Sequence, residues 1–186
     1  MTRRAKATIQ IGGVFASREP IVIGTVLGSC IAACLWDPVT GVGGMNHFML
    51  PGPPNGDGGG EPAWYGVHAM ELLIGNIQKL GGERARLEAK VFGGGHVLQI
   101  RESDTGVPQL NIRFIREFLR TEGIPLLAQD LGGYTARYVL FDTASGTVRV
   151  KRLAGLRVQT IGVEREHQQS AQRELQPRGE ITLFDD

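Results

Sequence analysis

Apolar positions recur at intervals of three and four through Val67, Met70, Leu73, Ile74, Ile77 and Leu80. That spacing predicts an amphipathic helix over Ala63–Leu80, closed by Gly81-Gly82. A second helix is predicted over Asn111–Thr121, with Ile112, Ile115, Phe118 and Leu119 as its inner stripe and Gly123 as its stop. Arg113, Arg116 and Arg120 fall on its other face and read as a solvated stripe. The remaining apolar runs are short. Ala7–Phe15 alternates loosely and predicts a first strand, broken or bulged at Gly12-Gly13. Ser17–Pro20 reads as a turn, and Ile21-Val22-Ile23 leads onward from it. Two denser runs follow, Cys30–Trp36 and Val42–Leu50. Leu87, Ala89 and Val91 alternate with Glu88, Lys90 and Phe92, giving a strand that enters the glycine triplet Gly93-Gly94-Gly95. Ile124–Ala128 is a candidate buried strand. Thr135–Phe141 and Thr147–Leu153 predict a hairpin about Thr143-Ala144-Ser145-Gly146. Strands interleaved with two helices and hairpins, without regular crossovers, predict an α+β fold with a mixed or antiparallel sheet.

Composition narrows the class. With 186 residues, 41% of them hydrophobic, one domain with a substantial core is expected. It is expected over residues 1–162, followed by a polar, flexible tail at 163–186, where Glu, Gln and Arg displace apolar periodicity. Twenty Lys and Arg against nineteen Asp and Glu give a net charge of +1, which points to neither nucleic acid nor an anionic membrane as partner. Two cysteines four positions apart make no disulfide framework, and no apolar run approaches a membrane span, so a cytoplasmic protein is expected. Gly52–Pro62 is dominated by Gly and Pro and reads as a mobile loop beside the strand that carries His47.

Candidate chemistry concentrates in Gly24–Pro51. Asp37-Pro38 followed by Gly41 is turn chemistry between two apolar runs, so Cys30–Trp36 and Val42–Leu50 predict a β-hairpin. If Trp36 and Gly41 close a four-residue loop, Cys30 lies directly opposite His47, with Cβ atoms about 5 Å apart. An imidazole beside a thiol favours the thiolate, the reactive form. Gly28 and Ser29, just before Cys30, offer backbone N–H groups to a developing oxyanion. Thr25 and Asn46 are the nearby candidates to orient the imidazole. By residue identity alone Cys30 reads equally well as plain core or as a functional thiol, and Cys34, inside the apolar run, reads as core. A zinc site using both cysteines is disfavoured, because residues four apart on a strand lie about 13 Å apart. His68 reads as a surface or packing histidine. The triplet Gly93-Gly94-Gly95 lacks the Gly-Lys-Ser/Thr of a phosphate loop, and close backbone approach to the neighbouring site is its better account.

These residues carry a resemblance. GTVLGSCIAACLWDP followed by GVGGMNHFMLP resembles the signature of the CheD family, the chemoreceptor glutamine deamidases of bacterial chemotaxis. The likeness continues through YGVHAMELLIGNIQKLGG, LEAKVFGGG and NIRFIREFLRTEGIPLLAQDLGGYTARYVLFDTASGTVRV, roughly Ile9 to Leu153. It implies Cys30 as nucleophile, His47 as general base and Thr25 as third catalytic residue, with no cofactor. It implies glutamines on the cytoplasmic helices of methyl-accepting chemotaxis receptors as substrate. It also implies a layered αβ sandwich similar to the cytotoxic necrotizing factor deamidases, and a CheC-like phosphatase as a further partner. A non-catalytic adaptor binding receptors or that phosphatase is the alternative. The family's FGGA-Asn segment stands here as Phe92-Gly93-Gly94-Gly95-His96, a departure that leaves the role of His96 open.

Overall fold

Gly12 and Gly13 divide the first apolar run into two strands that join different sheets. β1 (Ala5–Thr8) and β2 (Val14–Ser17) flank a turn in which Gly12 has φ 80° and the Gly13 N–H donates to the Gln10 carbonyl at 2.8 Å. A side chain at position 12 would disfavour that backbone, so the single broken strand expected from the sequence becomes a crossing between layers. The structure is a computed structural model describing residues 5–50, 62–97 and 106–153. The predicted Gly/Pro loop, apart from Pro62, and the boundary and tail near 163 lie outside the described residues.

The other elements are β3 (Ile21–Leu27), β4 (Ile31–Trp36), β5 (Gly43–Phe48), α1 (Pro62–Lys79), a 3₁₀ turn at Arg84–Arg86, β6 (Glu88–Gly93), α2 (Val107–Thr121), β7 (Leu126–Leu131), β8 (Ala136–Asp142) and β9 (Thr147–Leu153). They make an α+β fold with two mixed sheets rather than one. One sheet has the order β1-β3-β8-β9, with β1 and β3 parallel; the other has β2-β5-β4-β6-β7, with β6 and β7 parallel.

The burial pattern explains the layering. β4 is buried on both faces (Ile31, Ala32, Ala33, Cys34 and Leu35), as a central strand must be when both sides are covered. Its Ile31, Ala33 and Leu35 face the helices and pack with Met70, Leu73, Ile74 and Ile77 of α1 and with Ile115, Phe118 and Leu119 of α2. Its Ala32 and Cys34 face the other sheet, with Met45, Phe92, Ile23, Leu27, Val139 and Phe141. Each fully buried large aliphatic or aromatic side chain contributes about 1.5–3 kcal/mol of hydrophobic stabilisation. The layers are therefore helices, five-stranded sheet and four-stranded sheet. No helix among the described residues is long and apolar enough to cross a membrane.

Three sequence expectations are corrected in detail. α2 begins four residues before Asn111, because Pro108 sits in the first turn, where a missing N–H costs nothing. The strand expected at Ile124–Ala128 is Leu126–Leu131, and it is a largely exposed edge paired to β6 on one side, not a buried strand. Val67, expected on the inner stripe of α1, is 41% exposed.

Candidate active site

The hairpin that sets Cys30 and His47 on one sheet face is closed by Asp37. Trp36 pairs with Gly43, not Gly41, so the loop is six residues long. Asp37 lengthens it by acting as its own anchor. Its Oδ1 accepts the N–H groups of Val39 (2.9 Å) and Thr40 (3.4 Å), and its backbone N–H donates to the Val42 carbonyl at 2.9 Å. Fully buried, the carboxylate is held by Arg86 at 2.7 Å, and that guanidinium keeps its pKa well below the usual carboxylate range against the opposing effect of burial.

The longer loop moves the register by two. His47 pairs with Ala32, and Ile31 with Phe48, so Cys30 is not directly opposite His47. A shift of two preserves the face, where a shift of one would have reversed it. Cys30 packs with Ala32, Cys34 and Met45 on the side of the five-stranded sheet that meets the four-stranded sheet, diagonal to His47. Cys30 is fully buried; Ser29 and His47 keep 8% and 5% exposure.

His47 is fixed from three directions. Its backbone N–H donates to the Gly13 carbonyl at 2.9 Å, and its carbonyl accepts the Gly12 N–H at 2.7 Å. Its Nδ1 lies 2.8 Å from Thr25 Oγ1, and that hydroxyl also donates to the Ile9 carbonyl at 2.8 Å. A threonine hydroxyl has one proton. With that proton given to Ile9, Oγ1 accepts from Nδ1–H, which places the basic lone pair of the ring on Nε2. Asn46, the other candidate orienter, faces away. Its Oδ1 accepts the Ala33 N–H at 3.0 Å and its Nδ2 donates to the Ala69 carbonyl of α1 at 3.1 Å.

The bend before Cys30 is held by three consecutive carbonyls. Gly28 O accepts the Gly95 N–H and Cys30 O the Gly94 N–H, both at 2.8 Å, and Ser29 O accepts Asn111 Nδ2 at 2.8 Å. Gly93 has φ 119°, and the triplet makes the close approach expected of it. Beyond it, Gly132 N–H donates to Gly93 O at 2.9 Å and His96 N–H to Gly133 O at 2.7 Å. Arg137, paired with Leu27 in β8 and 1% exposed, donates to the carbonyls of Asp130 and Gly132, securing that loop. Burial pulls the Arg137 pKa down, with the Asp130 carboxylate opposing. His96 Nε2 lies 3.0 Å from the Gln109 amide nitrogen and its ring 6.1 Å from that of Tyr134. At Cys34, in the same buried cluster, burial pushes the thiol above the usual range, with Lys90 opposing.

A family model described as CheD chemotactic sensory transduction matches residues 49–152. The chain belongs to the CheD family. It is 40% identical over 186 residues to a relative from Hahella chejuensis, covering 97% of this chain and 86% of the relative. It is 43% identical to one from Thiobacillus denitrificans (96% and 89% covered), and 49% identical over 150 residues to one from a Caulobacter species (80% and 78%). Each of these is named a probable chemoreceptor glutamine deamidase CheD. The family-model match begins beyond Cys30 and His47, whereas the Hahella and Thiobacillus relatives cover nearly the whole chain. In this CheD-family chain, sequence patterning passed over Asn111, the Gly12-Gly13 grip on His47 and the Asp37 anchor. The signal for Asn111 is its spacing, four residues before Ile115 and seven before Phe118, which sets a polar residue on an otherwise apolar helix stripe.

Proposed function

We propose that this chain hydrolyses the side-chain carboxamide of glutamines on the cytoplasmic helices of methyl-accepting chemotaxis receptors, leaving glutamate and ammonia. The names of its relatives support the substrate. The observation that carries the chemistry is the Thr25–His47 contact at 2.8 Å on the same sheet face as Cys30. In this reading Nε2 of His47 takes the thiol proton, and the Cys30 sulfur attacks the carboxamide carbon. Backbone N–H groups of Ser29 and Cys30 hold the oxyanion, with Gly28 shaping the bend. The imidazolium returns its proton to the departing nitrogen, ammonia leaves, and a thioester remains. Water then gives a proton to His47 and attacks the thioester carbon; the thiolate departs and glutamate is formed. No cofactor enters. Because Cys30 is fully buried, a glutamine reaches it only as its cover shifts; Met49, whose Sδ accepts from Ser29 Oγ at 3.9 Å, belongs to that cover. The likeness to the cytotoxic necrotizing factor deamidases is part of the same reading, as is binding to a CheC-like phosphatase.

The test is incubation with receptor cytoplasmic fragments, followed by mass spectrometry of each glutamine. Wild type is expected to convert specific glutamines to glutamate, and Cys30→Ala to convert none while still binding the fragment. Turnover retained in Cys30→Ala would end the cysteine mechanism. Wild type that binds fragments but converts no glutamine would favour an adaptor.

A further inference from the structure

The side chain of Asn111 in α2 reaches both the bend before β4 and the chain just beyond β5. Its Nδ2 donates to the Ser29 carbonyl at 2.8 Å, and its Oδ1 accepts the Leu50 N–H at 2.8 Å. The first bond holds the bend that leads into Cys30; the second holds the chain three residues beyond His47. Asn111 has no solvent exposure, so neither bond is shared with water. The pattern needs a donor and an acceptor in one short planar group, which an amide supplies and an ionised carboxylate does not.

The geometry extends to the peptide plane. Among the described residues every peptide bond is trans, and a trans peptide is planar, so an N–H points opposite to the carbonyl of its own peptide unit. Anchoring Ser29 O on α2 therefore directs the Cys30 N–H away from α2. Backbone N–H groups of Gly95 and Gly94 hold the neighbouring carbonyls of Gly28 and Cys30, whereas the Asn111 side chain holds Ser29 O, a bond that a substitution can release.

We infer that Asn111 is a positioning residue for deamidation: it sets the Ser29–Cys30 peptide plane so that the Cys30 N–H meets the developing oxyanion, and it locks that plane to the strand end that carries His47. This rests on the cysteine mechanism proposed above. A donor aimed at charge that exists only in the transition state lowers kcat when lost and leaves substrate binding in place. A merely structural amide lowers stability and leaves the kcat of the folded fraction alone.

The experiment compares wild type, Asn111→Asp and Asn111→Leu as full chains acting on receptor fragments. Asn111→Asp keeps the acceptor for Leu50 N–H but sets a carboxylate oxygen against Ser29 O; Asn111→Leu removes both bonds at similar volume. A fall in kcat of about a hundredfold is expected for folded protein, with KM changed by less than about twofold. Wild-type kcat in either folded variant, or a loss carried by KM, overturns the inference. Should neither variant fold, the side-chain amide resonances of Asn111 in wild type serve instead. They are expected to shift when Cys30 is alkylated with iodoacetamide, whose adduct places a carboxamide at the sulfur; unmoved resonances overturn the inference. Cys30→Ala separates the two levels. Turnover in that variant sinks the mechanism itself, whereas a dead Cys30→Ala beside a fully active Asn111→Asp sinks only the role of Asn111.

Discussion

A Cβ placed on Gly93 would stand 1.9 Å from the carbonyl oxygen of Cys30. No side chain fits at that distance, and φ 119° is itself a conformation that only glycine adopts readily. Gly93→Ala is expected to push the bend out of place and to cost about 2–4 kcal/mol in urea or thermal unfolding. Wild-type stability in that variant would contradict the contact.

The two thiols are expected to report their surroundings by reagent size. Cys30 is fully buried, but its neighbours Ser29 and His47 keep slight exposure; Cys34 lies inside the sheet pair at 2%. Iodoacetamide should label Cys30 faster than a bulky maleimide does, and Cys34 should react with neither until the protein unfolds. Peptide mapping after timed labelling checks this; equal labelling of both cysteines in the native protein would refute the placement.

Thr25→Val removes the acceptor for His47 Nδ1–H while keeping the β-branched shape. The ring then loses the partner that fixes its tautomer, and kcat is expected to fall about ten- to a hundredfold, with Thr25→Ser recovering most of it. Steady-state deamidation rates decide the matter. Full activity in Thr25→Val would leave the hydroxyl without a part in the chemistry.

Asp37 predicts an acid dependence of stability. Its native pKa lies below the unfolded value of about 3.9, so the folded state binds the proton less readily. The stabilisation is whole above about pH 4 and is lost as pH falls through the native pKa. Asp37→Asn, which cannot accept both the guanidinium and the loop N–H groups as an anion, is expected to be less stable at neutral pH by about 2–4 kcal/mol. The gap should narrow in acid. Chemical denaturation at pH 7 and pH 3 measures it, and a gap that widens in acid would show the sign to be wrong.

The elements were legible where their period was long or their punctuation strong. The α1 face apart from Val67, the β8–β9 hairpin and the strand entering Gly93 follow directly from spacing and turn residues. The turn at Asp37 was legible as a turn, but its length was not: two extra residues are held by the Asp37 side chain reaching Val39, Thr40, Glu83 and Arg86. Those last two partners come from a distant part of the chain, which no local pattern encodes. Because the shift was even, Cys30 and His47 stayed on one face, diagonal to each other rather than directly opposed. Residue patterning left Thr25 and Asn46 as two nearby candidates and the resemblance implied Thr25; in the structure Thr25 meets His47 Nδ1 while Asn46 turns toward α1. The division into two sheets was not readable, since a glycine pair signals a break without saying where the next strand goes. The stripe Arg113, Arg116 and Arg120 is exposed as expected, with Arg116 on Gln129 and Arg120 on Glu117.

The crossing from β1 to β2 has a further effect. Ile9 meets Thr25 in one sheet, and four residues later Gly13 meets His47 in the other. One short length of backbone thus rivets the two layers at the imidazole, and any slippage between them is felt there first. Loss of turnover under mild denaturant should accordingly precede loss of helical signal, making the enzyme's own rate a gauge of how firmly the sheets are seated.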